Sequence, residues 1–184
     1  SGEVLIKVNG AGVNNTDINT RLGWYSKRVT SDTNSTGEKG LVDFNGEDAS
    51  WTGAPLQFPR IQGGDICGRI VQVGEGVEPK CIGSRVIVRS MQNSPNSNNP
   101  FAMQTVGSEI DGGFAQYCVT LAEEAYPVNC NWSDIELASI PISYSTAEGM
   151  LCRANIKNEK ILITGASGGV GSAAIQLAKI RGAS

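Results

Sequence analysis

The residues best spaced for chemistry are Thr164-Gly165-Ala166-Ser167-Gly168-Gly169-Val170-Gly171. Glycines in such a run let the chain turn sharply, let backbone approach a pyrophosphate, and let a following helix pack tightly on the preceding strand. A helix N-terminus there adds unpaired N–H groups and the positive end of its dipole. Ala166, Gly168 and Gly171 fit the spacing AxGxxG, with Gly169 and Val170 inside it. The flanks agree with that use: Lys160 to Thr164 reads as a buried strand and Val170 to Arg181 as a helix. Val170, Ala174, Leu177 and Ala178 fall on one face of that helix, and Gly182 can stop it. A dinucleotide phosphate fits this pattern; a glycine-rich turn without a ligand is the alternative. The residue that reads the ribose falls about 20 residues further on, so selectivity residues do not decide between NAD and NADP here.

The chain has no histidine. No Ser-His-Asp triad, His-Cys dyad or imidazole metal site can form within it. Proton handling is left to hydroxyls, carboxylates, lysine or water. The five cysteines, Cys67, Cys81, Cys118, Cys130 and Cys152, are odd in number and show no CxxC spacing. Neither a disulfide framework nor a zinc ribbon is suggested, and buried, reduced thiols are expected. A net charge of −3 gives no electrostatic reason to expect nucleic acid or an anionic membrane as partner. No apolar run approaches the roughly 20 residues that span a bilayer, and the cytoplasm is the expected location.

The elements that must position these residues are mostly short strands. Val4 to Val8, Gly68 to Val73, Arg85 to Arg89 and Phe114 to Val119 alternate or run β-branched between glycine turns, which suggests a small barrel or sandwich. Two polar stretches, Ser26 to Gln57 and Ser90 to Gly113, interrupt the pattern; Pro and Asn in the second argue against regular structure over most of its length. Ser133 to Glu136 offers caps for a short helix through Ala138, stopped near Pro141, and Thr146 to Arg153 could form another. The fold expected is therefore mainly β over residues 1–132. Residues 133–184 supply linking helices and the first strand-turn-helix of a dinucleotide-binding domain. A single βα unit cannot bury both faces of a parallel sheet, so a piece of a longer protein is expected.

Several stretches, taken in order, resemble the medium-chain dehydrogenase/reductase superfamily, whose N-terminal domain is GroES-like and whose second domain is a Rossmann fold. They are Ala11-Gly12-Val13-Asn14-Asn15-Thr16-Asp17, Arg21-Leu22-Gly23-Trp24-Tyr25, Gly63-Gly64-Asp65-Ile66-Cys67-Gly68, Val73-Gly74-Glu75-Gly76-Val77, Gly83-Ser84-Arg85-Val86, Gly113-Phe114-Ala115-Gln116-Tyr117 and Ser145-Thr146-Ala147. Zinc members of that superfamily bind catalytic metal through Cys, His and Cys. The corresponding positions here hold Asn14, Gly64 and Ile142, and tetrahedral zinc wants thiolate, imidazole or carboxylate. The structural-zinc lobe needs four close cysteines, and Ser90 to Gly113 has none. Asp65 matches a carboxylate of the outer shell.

The resemblance is to the zinc-independent quinone oxidoreductase branch, the zeta-crystallin-like enzymes. It implies hydride transfer from NADPH, with NADH not excluded, to a quinone or α,β-unsaturated carbonyl, and no zinc. Asn14 and Thr146 would then lie at the nicotinamide, Thr16 at the relay hydroxyl and Tyr25 in the substrate pocket. Ala166, Gly168, Gly169, Val170 and Gly171 would hold the pyrophosphate. A small-molecule substrate and a homo-oligomeric whole protein are expected, and the chain alone is expected to be inactive. The plainer readings are that Asn14 closes a turn, Thr16 caps a helix and Tyr25 packs on Trp24. Three rivals stand beside this: a non-catalytic binding or structural member that keeps the fold, a zinc-type alcohol dehydrogenase with displaced ligands, and a short-chain dehydrogenase. The last would place its TGxxxGxG near the N-terminus and follow it with YxxxK.

Overall fold

The computed structural model describes residues 1–26, 56–94, 97–99 and 102–184. Strand β1 (Glu3–Gly12) and strand β2 (Asp65–Val73) form the centre of a five-stranded antiparallel sheet. The outer strands are β3 (Arg85–Val88), β6 (Tyr117–Leu121) and β7 (Ala125–Pro127), in the order β6-β1-β2-β3-β7. Alternation decides which face is inside: Val4 and Ile6 of β1, Ile66 and Ile70 of β2, and Val86 and Val88 of β3 are all buried. With Val106, Cys118 and Ala125 they make one core. A one-residue slip would turn these side chains to water, so register is tightly specified. This is the mainly β architecture the strand pattern implies.

Several sequence expectations need correction. The strand expected from Phe114 begins at Tyr117 instead. Gly112, Gly113 and Phe114 donate their N–H groups to the carbonyls of Ile61, Gly63 and Gln62, and the ladder with β1 begins only where Tyr117 meets Lys7. The stretch expected to be irregular over most of its length is so among its described residues, with one exception: β4 (Met91–Asn93) pairs with β5 (Met103–Thr105) as a short antiparallel hairpin. The buried Gln92 amide anchors it by donating to Thr120 Oγ1 at 2.7 Å and to the Arg89 carbonyl at 2.9 Å. Of the cysteines, all free, Cys67 and Cys118 are buried but Cys130 and Cys152 are exposed. Most of the polar stretch Ser26 to Gln57 lies outside the described residues.

Another correction concerns the end of the chain. Lys160 to Thr164 is not a buried strand here, because a strand covered on both faces needs neighbours that, among the described residues, it does not have. Leu162 is 90% exposed. Ser184 donates to the Glu159 carbonyl at 3.1 Å and its own carbonyl accepts from Ile161 at 3.0 Å. Those two bonds are the pattern of a single parallel bridge centred on Lys160, the pairing a strand-helix-strand unit makes.

Helix α1 (Asn15–Arg21) follows β1, and helix α2 (Asp134–Leu137) packs on β1 and β2. Ser133 and Glu136 form a capping box that starts α2. Helix α3 (Pro141–Arg153) begins five residues earlier than the expected Thr146. Pro141 is its first residue, where the missing N–H costs nothing, and so begins a helix rather than stopping one. Helix α4 (Gly169–Ile180) packs on α3 through Ala147, Ala173 and Ala174.

Candidate functional site

A cavity of about 240 Å³ lies where α1, the hairpin, α3 and α4 meet. Thr16, Asp17 and Thr20 enter it from α1, Tyr25 from the turn that follows, and Ser90, Met91 and Thr105 from the hairpin. Gly64, Val106 and Ser108 close one side, and Ile142, Ser145, Thr146 and Val170 the other. Apart from the Asp17 carboxylate the wall is hydrocarbon studded with hydroxyls, a composition that orients a small conjugated or carbonyl-bearing molecule. Tyr25 OH donates to Thr16 Oγ1 at 2.9 Å, which joins two of these hydroxyls into a chain. Ser90 Oγ is turned away, donating to the Gly64 carbonyl at 2.7 Å.

Two carboxylates organise the wall, Asp17 within it and Asp65 behind it. Asn14 has extended backbone and stands as the residue before α1. Its N–H donates to Asp17 Oδ2 at 2.8 Å, and Asp17 Oδ1 accepts from the Gly64 N–H at 3.3 Å. The Asn14 side chain donates through Nδ2 to Asp65 Oδ2 at 2.8 Å, while Asp65 Oδ1 accepts from the Ile142 N–H at 2.7 Å. Asp65 is 1% exposed. Burial raises its pKa to about 6, against the lowering effect of the bonds from Asn14 and Ile142 and with a further upward push from Asp17.

The turn at residues 164–171 has its own geometry. Gly165 has φ +63°, the left-handed region. A Cβ on Gly171 would lie 2.2 Å from the Gly165 carbonyl oxygen and 2.8 Å from Ala166 Cα, so only glycine lets α4 approach the turn this closely. Ala166, Gly168 and Gly169 are exposed, and the first N–H groups of α4 have no intrahelical acceptors. An exposed turn backed by a helix N-terminus is what a pyrophosphate requires.

Residues 40–130 match the model of the alcohol dehydrogenase GroES-like domain. The chain is 28% identical over its whole length to acryloyl-coenzyme A reductase of Metallosphaera sedula, covering 49% of that protein. It is 29% identical over 98% of its length to human quinone oxidoreductase, covering 42% of that protein. A crystal structure assigned as an alcohol dehydrogenase from Sinorhizobium meliloti 1021 superposes with a TM-score of 0.79 at 43% identity, covering 100% of this chain and 48% of the other. Over residues 40–130 the chain carries the alcohol dehydrogenase GroES-like domain, and its relatives are quinone oxidoreductases and alcohol dehydrogenase-like proteins of the medium-chain dehydrogenase/reductase superfamily. It spans just under half the length of these relatives.

Against that family, the residues singled out in the sequence fall in two groups. Thr16, Tyr25, Thr146 and Val170 line one cavity. Asn14 lies just behind the lining, joined to it through Asp17 and Asp65. Ala166, Gly168, Gly169 and Gly171 form the exposed turn, with Gly169 beside Ser143 of α3. The plainer readings also find their counterparts: Asn14 does precede a helix, and Tyr25 meets Trp24 edge-on at 5.6 Å between ring centroids.

The three positions that correspond to zinc ligands come together around Asp65. They supply a carboxamide, no side chain and a hydrocarbon, of which none is a ligand tetrahedral zinc prefers. At Gly64 the place of a side chain is taken up by Ile142, whose Cδ1 lies 2.8 Å from where a Cβ would be. Among the described residues no three His, Cys, Asp or Glu side chains cluster as a metal site, and no helix is long and apolar enough to cross a membrane.

Sequence reasoning gave Asp17, Ser108 and Ser145 no role. Asp17 had a legible signal, since a carboxylate three residues after an N-cap asparagine is the capping-box spacing. Ser108 reaches the cavity only through the hairpin, whose pairing is non-local, so nothing in its neighbourhood could reveal it.

Proposed function

We propose that this chain supplies the substrate pocket and the pyrophosphate turn of a zinc-independent reductase. Its cofactor is NADPH and its substrates are quinones or α,β-unsaturated carbonyls. The observation that carries the reading is the trio Asn14, Gly64 and Ile142 gathered around Asp65, with Gly64 and Ile142 in the cavity wall, Asn14 just behind it, and no thiolate or imidazole among them. Without a Lewis acid there, a simple ketone or alcohol loses several kcal/mol of transition-state stabilisation. A conjugated acceptor spreads its developing charge, so hydrogen bonds from the wall suffice.

The bound cofactor would supply a hydride, and the protein's share is orientation and proton handling. Ala166, Gly168, Gly169 and Gly171 would hold its pyrophosphate, with Asn14 and Thr146 toward the nicotinamide. Met91, Val106, Ile142 and Val170 keep water from the substrate. Tyr25 and Thr16, already hydrogen-bonded, hold a proton at the cavity surface in a chain without histidine. Residues 1–132 are read as the pocket-forming unit and 133–184 as the beginning of the cofactor-binding one.

The test is a thermal shift followed by turnover. Saturating NADPH should raise the melting temperature of the whole protein, as linkage requires of any native-state ligand. Consumption of NADPH should then follow addition of 1,4-benzoquinone or an enone. Oxidation of ethanol or benzyl alcohol, with neither quinone nor enone reduced, would overturn the reading.

A further inference from the structure

The cavity wall carries charge of one sign. Asp17 is part of it, and none of the described lining residues is lysine or arginine. Asp17 is 8% exposed and accepts from the backbone N–H groups of Asn14 and Gly64. It also completes the capping box of α1 with Asn14. Capping explains why an acceptor stands here, but it does not cancel the charge, because both donors are neutral backbone groups. No cation answers Asp17 among the described residues. Arg21, one helical turn on, lies over the Phe58 ring, and Arg60 is paired with Asp111. Asp65 stands behind the wall as a second carboxylate, and its proton reports the first. Burial chiefly raises the Asp65 pKa, and the Asp17 charge pushes it further up.

A charge in a cavity that excludes water is felt several times more strongly than in bulk solvent, and salt screens it less. An anion entering here would give up its hydration and meet a like charge. The hydroxyls of Thr16, Thr20, Ser108 and Thr146 could donate to it but not neutralise it. We infer that Asp17 is a specificity-determining residue that bars anionic acceptors from the cavity and admits neutral and cationic ones. The kind of ligand is taken from the proposed reductase reading, whereas the charge selection belongs to the wall itself. Quinones, enones and unsaturated amides pass this filter. Unsaturated carboxylates and sulfonated quinones do not, although their conjugated frames fit the same hydrocarbon surface. Discrimination of this kind comes from a repulsive group, which apolar contact alone does not supply.

Benzamidine, benzamide and benzoate share one planar frame and differ in charge, so they probe the wall without chemistry. Titrated into the ¹⁵N-labelled whole protein, a probe in the cavity should move the backbone amides of Thr105 to Ser108 and of Val170. Benzoate should bind about tenfold or more weakly than benzamide, and benzamidine at least as tightly as benzamide. In Asp17→Asn the gap between benzoate and benzamide should narrow to within about threefold. That variant also disturbs the capping box. Asp17→Glu disturbs it too while keeping the charge, and should retain the gap.

Turnover supplies the second readout. With NADPH, kcat/KM is measured for 1,4-naphthoquinone and for its 2-sulfonate, and the ratio of the two is compared between wild type and Asp17→Asn. The intrinsic reactivities of the quinones cancel in that comparison, which leaves the part due to residue 17. The preference for the neutral quinone should fall about tenfold or more in the variant. Equal affinity of the wild type for benzoate and benzamide would overturn the inference without any variant. So would a gap that survives in a folded Asp17→Asn. A wild type that prefers benzamide yet reduces neither quinone nor enone with NADPH would leave the charge selection standing and sink the reductase reading.

Discussion

The same substitution placed in two helices should act with opposite sign. Gly149 in α3 has nothing within 4 Å of where a Cβ would be, whereas at Gly171 in α4 that Cβ would meet the Gly165 oxygen at 2.2 Å and Ala166 Cα at 2.8 Å. Alanine is favoured over glycine within a helix by about 1 kcal/mol, so Gly149→Ala should stabilise by roughly that amount. At Gly171 the same gain is opposed by overlap of about 1 Å with backbone atoms that cannot rotate aside. Overpacking typically costs about 1–3 kcal/mol, and with backbone as the obstacle the upper part of that range applies. The net loss expected for Gly171→Ala is about 1–2 kcal/mol after the propensity gain is subtracted. For a chain of this size each kcal/mol moves Tm by about 2–4 °C. Calorimetry or urea unfolding should therefore find Gly149→Ala raised by a few degrees and Gly171→Ala lowered by about 2–8 °C. Amide exchange should quicken around residues 165–171 in the second variant. If Gly171→Ala melts as high as Gly149→Ala, α4 does not press on the turn, and the argument for a closely approached pyrophosphate goes with it.

Asp65 should make stability pH-dependent. Its folded pKa is about 6 and its ordinary value 3.8, so the native state holds the proton more tightly. The contribution is full below about pH 4 and is lost as pH rises through 6, a loss of about 3 kcal/mol by pH 8. Urea unfolding of wild type and Asp65→Asn should diverge over that window, the variant gaining relative stability with pH; parallel curves would refute the shift. Cys130 and Cys152 should react with iodoacetamide in the folded chain. Cys67 and Cys118 should not, because burial pushes their thiols up to about 12 and about 11; rapid labelling of either buried thiol would contradict the core as described. In the whole protein, Tyr25→Phe should lower kcat/KM for an enone by about 10–100-fold with little change in melting temperature. Thr16→Ala should add little further loss once Tyr25 is gone, since the two act as one hydrogen-bonded unit.

Much of the fold was legible because it is written in local alternation. Val4 and Ile6, Val86 and Val88, and the Ser133–Glu136 capping box each declare their element within a few residues. The hairpin at Met91 and Met103 was not legible, since its strands are three residues long and one is anchored through Gln92 to Thr120, far along the chain. The start of α3 was hidden because its acceptor, Asp65, lies on another element. At the site, residue types identified Thr16, Tyr25 and Thr146, and folding brought them to one cavity. Asn14 was expected at the same surface and stands one layer behind it, because its amide is held by a buried carboxylate whose position depends on the β1–β2 register.

The central claim is that this pocket supports hydride transfer to a conjugated acceptor without metal. It is tested most directly by dialysing the whole protein against a chelator, confirming its zinc content by elemental analysis, and following NADPH oxidation with an enone or quinone. The account predicts less than one-tenth of a zinc per chain, about the level of a trace contaminant for a donor set this poor, with full reductase activity retained. One tightly held zinc per chain, or activity that disappears on chelation and returns with zinc, would contradict it.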